Sequence, residues 1–132
     1  FIHDEIGFNY RMPNINAAIG VAQMEKLPEI LEVKRKLATN YAEFFDEWPA
    51  TYITPINGAK PNYWLNAIHL NNKSERDTFL NLTNENGVMT RPIWNLLSEL
   101  PMYKNCENDG LINSKEMVDR VVNIPSSVPR LR

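Results

Sequence analysis

The longest periodic segment of the chain reads LPEILEVKRKLATNYAEFFDEW, at residues 27–48. Its apolar residues recur at intervals of three and four positions, and charged or amide residues fill most positions between them. This period predicts a long amphipathic helix with one buried stripe, which ends before Pro49. Because Lys34 falls on the buried stripe, its side chain must extend to solvent, find a partner, or mark a domain boundary.

A second helix is expected before this segment. Asn14 is placed to cap a helix that runs from Asn16 onward. Pro28 is expected to interrupt that helix or to begin a new one, because proline suits a first turn and disrupts an interior. The chain opens on Phe1 rather than on methionine, which favours a piece of a longer protein.

Beyond the long helix, short strands alternate with helices. A Ser74–Asp77 capping box is expected to open one helix, and Gly87 is expected to stop it. Asn113 and Glu116 offer the cap of a further helix. The apolar runs and turn signals predict strands near residues 51–60, 62–70, 88–91 and 121–124. This order predicts an α+β fold, with helices packed on a small, mostly antiparallel sheet.

Composition and charge exclude several classes of function. The net charge is -2, with 43% hydrophobic and 23% charged residues, which is typical of a globular protein. The charge gives no footprint for nucleic acid, and no apolar run approaches the roughly 20 residues of a membrane span. Cys106 is the only cysteine, so a reducing, cytoplasmic setting is expected. His3 and His69 are too far apart in the sequence to predict a metal site.

Two short segments carry chemistry. Within GFNYRMPNINAAIG, residues 7–20, Asn9 and Arg11 precede a predicted helix N-terminus, and together these groups suit an anion. Farther on, Arg91 and Trp94 present a cation and a flat ring at a sheet edge, which suits a diphosphate and a sugar or base. The alternatives are that Asn9 and Arg11 only fix a turn, and that Arg91 and Trp94 are a surface cation and a packing ring.

Residues 7–20, followed by QMEKL at 23–27, resemble the DegT/StrS family of pyridoxal-phosphate-dependent sugar aminotransferases. The segments NYW at 62–64, RPIW at 91–94 and NIPSS at 123–127 keep the same register, so the resemblance spans nearly all of the chain.

Within that family, HDEIG at 3–7 and MTRPIW at 89–94 look most like the LegC-like, legionaminic-acid branch of bacterial surface-sugar biosynthesis. The chain departs from the family's pattern at residues 96–98, where Leu-Leu-Ser replaces the Pro-Leu-His of many members.

The resemblance implies the C-terminal part of a fold type I enzyme that transfers an amino group from glutamate to a 4-keto nucleotide sugar. The family's catalytic lysine belongs to a large domain that precedes this segment, so no catalytic residue is expected here, and the chain alone is expected to be inactive. The implied boundaries are residues 1–26 for the tail of the large cofactor-binding domain, 27–48 for a linking helix, and 49–132 for the small domain.

The resemblance also implies a homodimer whose subunits share their active sites. Asn9 matches the position that reaches the partner's cofactor phosphate, and Arg11 is its neighbour. The substrate is expected to contact His3, Tyr10, Arg91 and Trp94. A rival interpretation from a different class is a freestanding, non-catalytic α+β module for binding or oligomerisation.

Overall fold

The computed structural model describes residues 3–8 and 11–128. Two single-turn 3₁₀ segments, Leu97–Glu99 and Pro101–Tyr103, lie between the third strand and the third helix. The predicted α+β order is confirmed. In chain order, the helices and strands are α1 Asn14–Asp46, β1 Thr51–Tyr52, β2 Asn66–His69, α2 Lys73–Glu85, β3 Arg91–Pro92, α3 Ile112–Arg120 and β4 Val121–Ile124.

The four strands form one sheet in the order β1-β2-β4-β3, and every pairing is antiparallel. The last strand in the sequence therefore lies inside the sheet, between β2 and β3. β3 is left at the edge, and it contains Pro92, which has no amide hydrogen to donate. The sheet prediction is confirmed, and β2 and β3 run parallel to each other on either side of β4.

The core lies where the C-terminal half of α1 and part of α2 meet the sheet. Ile68 of β2 and Val122 of β4 are paired in register and are fully buried. Ala38 and Phe45 of α1 join them. Burial of one such large side chain contributes about 1.5–3 kcal/mol, so these contacts hold the helix on the sheet.

The long helix α1 is continuous from Asn14 to Asp46 and contains Pro28 in its interior. The prediction that Pro28 interrupts the helix is therefore wrong. The missing hydrogen bond leaves the carbonyl of Met24 without its helical donor, but this stretch is exposed, so water can reach that carbonyl. The residue at the N-cap is Pro13, and Asn14 is the first residue of the helix rather than its cap.

The helix α2 begins with a capping box, but not at the predicted residues. Asn72 Oδ1 accepts a hydrogen bond from the Glu75 amide at 3.0 Å, and Glu75 Oε1 accepts one from Asn72 Nδ2 at 3.0 Å. The predicted pair, Ser74 and Asp77, lies inside the helix, and Asp77 forms an ion pair with Arg76. Both boxes fit the same sequence spacing, and the earlier one opens the helix.

Three further boundaries can be compared with the sequence predictions. Gly87 has a φ of +77° just after α2, which confirms it as the stop signal. Leu111 is the N-cap of α3 and no side chain caps it, so the predicted Asn113 cap is wrong. The third strand begins at Arg91 rather than at Val88, because Val88 donates to the Thr83 carbonyl at 2.8 Å and so remains tied to the end of α2.

Candidate functional site

Arg91 lies on the edge strand β3, and its side chain is exposed. Its guanidinium donates from Nη2 to the sulfur of Met89 at 3.3 Å, and a thioether is only a weak acceptor. Among the described residues, no carboxylate forms a salt bridge with Arg91. The guanidinium therefore keeps most of its donors for an anionic group.

Trp94 follows β3 and stacks on Trp64, which precedes β2. The two ring centroids are 6.0 Å apart and the ring planes differ by 28°. Trp64 is 65% exposed and Trp94 is 60% exposed, although a large ring is normally well buried. Two aromatic side chains from distant parts of the sequence thus lie on one surface, three residues after Arg91 in the case of Trp94.

The backbone that carries Trp64 is tightly turned. Asn62 Oδ1 accepts a hydrogen bond from the Trp64 amide at 3.0 Å. Between them, Tyr63 has a φ of +49°, in the left-handed region that non-glycine residues seldom adopt. This turn takes up the first residues of the predicted strand, so β2 begins at Asn66 rather than at Asn62.

Lys34 of α1 lies against this turn. Its Nζ donates to the carbonyl oxygens of Ser126 at 2.7 Å, of Tyr63 at 3.1 Å and of Trp64 at 3.4 Å. Burial lowers the pKa of Lys34. The three possibilities that the sequence left for Lys34 are thereby decided: its ammonium group binds backbone carbonyls of the α+β unit.

A network of buried polar side chains extends from Ser126 into the sheet. Ser126 Oγ accepts from the Asn66 amide at 2.7 Å and donates to the Ile124 carbonyl at 2.8 Å. Tyr52 donates from its hydroxyl to Asn66 Oδ1 at 2.6 Å. Burial, followed by the neighbouring Tyr63 and Tyr41, raises the pKa of Tyr52 to about 12. The carbonyl that receives Lys34 is therefore attached to a fully hydrogen-bonded part of the core.

An open cleft of ≈ 340 Å³ adjoins the same turn. It is lined by residues 52–55 and 61–65, and Trp64 is among them. This volume falls at the lower end of the range for small-molecule sites, about 300–1,000 Å³. Trp64 therefore borders both the cleft and the ring of Trp94.

The other predicted site residues lie near the start of α1. His3 and Arg11 are exposed, whereas Asn9 and Tyr10 lie outside the described residues. No side chain caps the N-terminus of α1, and its first turn contains no acidic residue. The positive end of the helix macrodipole and the Arg11 guanidinium are thus both available to an anion.

Arg11 lies far from the Trp64 turn within one chain. Lys34, which contacts the Trp64 turn, lies twenty residues after Asn14, so the helix separates Asn14 from Lys34 by about 30 Å. Arg11 precedes Asn14 by three residues, whereas Trp94 stacks on Trp64.

Two residues of this surface were not predicted from the sequence. In the sequence, Trp64 is only part of the NYW motif, and Lys34 is only a charged residue on an apolar helical stripe. An exposed tryptophan is not distinguishable from a buried one by sequence, but a lysine on an otherwise apolar helical face is a usable signal. His69 lies in β2 with Nε2 buried and without a partner among the described residues, as a packed histidine does.

Residues 3–8 and 11–128 hold no cluster of side chains that could bind a metal ion. Over the same ranges, none of the helices combines the length and the apolar content needed to cross a bilayer.

Comparison with known sequences assigns the chain to a family. The model of the DegT/DnrJ/EryC1/StrS aminotransferase family matches residues 1–131. A GDP-perosamine synthase of Vibrio cholerae is 35% identical over 127 residues, which cover 94% of this chain and 35% of that protein. The chain thus spans about a third of the length of the curated relatives it matches.

Solved structures show the same fold. Helicobacter pylori PseC, an aminotransferase involved in the biosynthesis of pseudoaminic acid, has a TM-score of 0.77 at 19% identity and covers 92% of this chain and 34% of its own. The GDP-4-keto-6-deoxy-D-mannose-3-dehydratase of E. coli with bound hydrated pyridoxal phosphate has a TM-score of 0.66 at 21% identity, and covers 93% and 33%. These likenesses confirm the expected fold type I architecture, and the chain belongs to the DegT/DnrJ/EryC1/StrS aminotransferase family.

Proposed function

We propose that this chain is the C-terminal part of a pyridoxal-phosphate-dependent aminotransferase that moves an amino group from glutamate to a 4-keto nucleotide sugar. The observation that carries the proposal is the family match over residues 1–131, together with the related GDP-perosamine synthase. The product is a precursor for a bacterial surface glycan. The LegC-like branch stays a prediction, because the curated relative named above is a synthase of GDP-perosamine, a different sugar.

The proposed domain boundaries agree with the exposure of α1. Residues 1–26 would be the tail of the large domain, 27–48 the linking helix and 49–132 the small domain. Large apolar side chains before residue 27 are exposed in this chain, and a large domain would cover them; they are Ile15, Ile19, Val21 and Met24. Cys106 is an exposed free thiol, which supports a reducing cytoplasm as the proposed location.

The residues present fit one end of the cofactor. Arg11 and the uncapped N-terminus of α1 would hold its phosphate, with Asn9 as the neighbouring donor. When bound, pyridoxal phosphate supplies the electron sink for amino-group transfer. Lys34 is held by three carbonyls and every other lysine is exposed, so none has the enclosed setting of a reactive lysine. That lysine would come from the rest of the protein.

The sheet edge would hold the substrate. Arg91 has an exposed, largely unpaired guanidinium that suits the two phosphates of a nucleotide sugar, and Trp94 offers a ring beside it. His3 and Tyr10 complete the proposed substrate contacts, from the other end of the linking helix.

Arg91 provides the direct test of this function. In the full-length protein, Arg91→Ala should raise KM for the 4-keto nucleotide sugar about tenfold to a hundredfold, because a charge-assisted bond contributes about 1.5–3 kcal/mol. The reaction with glutamate alone should keep its rate. Arg91→Lys should recover only part of the loss, since a point charge lacks the planar fork of donors.

Arg35→Ala is the matched control, because Arg35 is an exposed arginine of α1 away from the sheet edge. A panel of GDP-linked and UDP-linked 4-keto sugars would identify the nucleotide. Equal damage by Arg91→Ala to both half-reactions, or no turnover of any sugar in the panel, would refute the proposal.

The 30 Å separation along α1 supports a homodimer with shared active sites. Mixing an Asn9→Ala/Arg11→Ala protein with an Arg91→Ala protein tests this sharing. If the two groups serve one site from different subunits, each mixed dimer has one intact site, and about a quarter of the wild-type activity returns. No recovery after subunit exchange would place both groups in the same subunit's site.

A further inference from the structure

We propose that Lys34 is a positioning residue for the substrate site: its ammonium group fixes the turn that presents Trp64, so that Trp64 and Trp94 form one aromatic wall for the base of the nucleotide sugar. This inference rests on the proposed function for the identity of the ligand. The positioning itself rests on the geometry of Lys34, Trp64 and Trp94.

Lys34 joins three parts of the molecule that are distant in sequence. The linking helix α1 supplies the ammonium group, the turn before β2 supplies the carbonyls of Tyr63 and Trp64, and the segment after β4 supplies the carbonyl of Ser126. None of these acceptors is a carboxylate, so the bonds fix backbone positions rather than neutralise a charge. Nearby, the Tyr41 hydroxyl donates to the Pro125 carbonyl at 2.9 Å and so also holds α1 against the segment after β4.

The turn needs an external restraint. Tyr63 adopts the left-handed conformation at φ +49°, which is unfavourable for a residue with a side chain. The only side chain that holds the turn from within its own loop is that of Asn62, through the Trp64 amide, among the residues that the structure describes. Lys34 binds the carbonyls of Tyr63 and Trp64, one on either side of the Trp64 residue, and so stabilises the orientation in which the Trp64 side chain leaves the backbone.

The aromatic wall has the chemistry of a base-binding surface. Two exposed indole rings with centroids 6.0 Å apart offer flat, polarisable faces, and nucleobases stack on aromatic rings of this kind. Trp64 also borders the ≈ 340 Å³ cleft, and Arg91 at the adjacent edge strand offers its guanidinium to the diphosphate. A base on the wall and a diphosphate on Arg91 would leave the sugar to extend towards the cofactor.

The test uses the full-length protein and two independent readouts. The circular dichroism signal of the stacked indole pair is the part of the wild-type spectrum that is lost in both Trp64→Phe and Trp94→Phe. Lys34→Met keeps the length of the side chain but removes its donors, so we expect it to lose most of this signal and to raise KM for the nucleotide sugar about tenfold. KM for glutamate should not change.

Three variants serve as controls. Lys36→Met removes an exposed lysine from the same helix and should leave both readouts unchanged. Lys34→Arg retains donors and should restore part of the signal and part of the affinity. Trp64→Ala keeps Lys34 and should reproduce the KM defect, which guards against a Lys34→Met protein that fails to fold.

The outcomes separate this inference from the proposed function. A normal indole-pair signal in Lys34→Met would overturn the positioning role, whatever the activity. A lost signal with an unchanged KM for the nucleotide sugar would overturn the base-binding role of the wall. If the wild-type protein turned over no nucleotide sugar, the proposed function and the ligand would both be refuted, whereas the indole-pair signal would still decide the role of Lys34.

Discussion

The two halves of α1 both carry many apolar residues but have different surroundings. After residue 30, the apolar stripe includes Ala38 and Phe45, which are buried against the sheet. Before residue 28, the apolar side chains of Ile15, Ile19 and Met24 are 74%, 57% and 64% exposed. One continuous helix therefore has one half that stabilises this unit and one half whose apolar residues contact little in it.

This difference shows that an apolar residue in a helix does not by itself identify its partner. The C-terminal half is held by burial and by the hydrogen bonds of Lys34 and Tyr41 to the segment after β4. The N-terminal half has no equivalent anchors among the described residues and, on the proposed domain boundaries, belongs to another unit. Three comparisons between variants would test the contrast.

The largest difference is expected between Phe45→Ala and Ile19→Ala. In the 132-residue chain, Phe45→Ala should lower the free energy of unfolding by about 3–5 kcal/mol, because it leaves a cavity in the core. Ile19→Ala should change it by no more than about 0.5 kcal/mol, as exposed substitutions do. Urea unfolding followed by circular dichroism measures both. Comparable losses would show that the N-terminal half is also packed in this chain.

Pro28 lies at the junction of the two halves, and replacing it should stabilise the helix. An interior proline costs about 3 kcal/mol relative to alanine, and its restriction of the unfolded chain returns about 0.4–1 kcal/mol. Pro28→Ala should therefore raise the free energy of unfolding by about 2 kcal/mol. Glu29→Ala is the neighbouring control and should have little effect. A destabilised Pro28→Ala protein would show that the junction has a geometry that only proline provides.

The smallest effect concerns Tyr52, whose ring contacts Tyr41 of the anchored half at a centroid distance of 6.3 Å. The folded state keeps the Tyr52 proton up to pH about 12, whereas the unfolded chain loses it near 10.0. Between these values the folded state binds more protons, so the contribution of Tyr52 to stability is complete below pH 10.0 and falls as the pH rises.

Wild type should therefore be more stable than Tyr52→Phe at neutral pH, by about 1 kcal/mol for the lost hydrogen bond to Asn66. The difference in unfolding free energy between the two proteins should narrow as the pH approaches 12. A difference that stays constant across this range would refute a raised pKa at Tyr52.

Local signals in the sequence predicted most of the elements. The strand at residues 121–124 was predicted from a short apolar run closed by Pro125, and the structure has the same bounds. The helix caps were less predictable, because Asn72–Glu75 and Ser74–Asp77 have the same spacing, and only the structure shows that Asn72 is the N-cap. Pro28 was misjudged because a long helix with an exposed middle tolerates the loss of one hydrogen bond.

The candidate site was only half predictable, for a different reason. Arg91 and Trp94 are three residues apart and could be read as one motif. The contact of Trp94 with Trp64 joins residues thirty positions apart in the sequence, which no local pattern encodes. Lys34 was recognised as anomalous, but its three carbonyl partners come from two segments that meet only in the folded chain.

The edges of the sheet have a consequence for aggregation. β3 is an edge strand of two residues, and its Pro92 offers no amide to an incoming strand. The opposite edge, β1, is equally short, with Pro49 before it and Pro55 after it. Long, unprotected edges are templates for aggregation, and both edges here are too short and too proline-rich to serve as one. The small sheet therefore presents no long edge on which a strand of a second copy could pair.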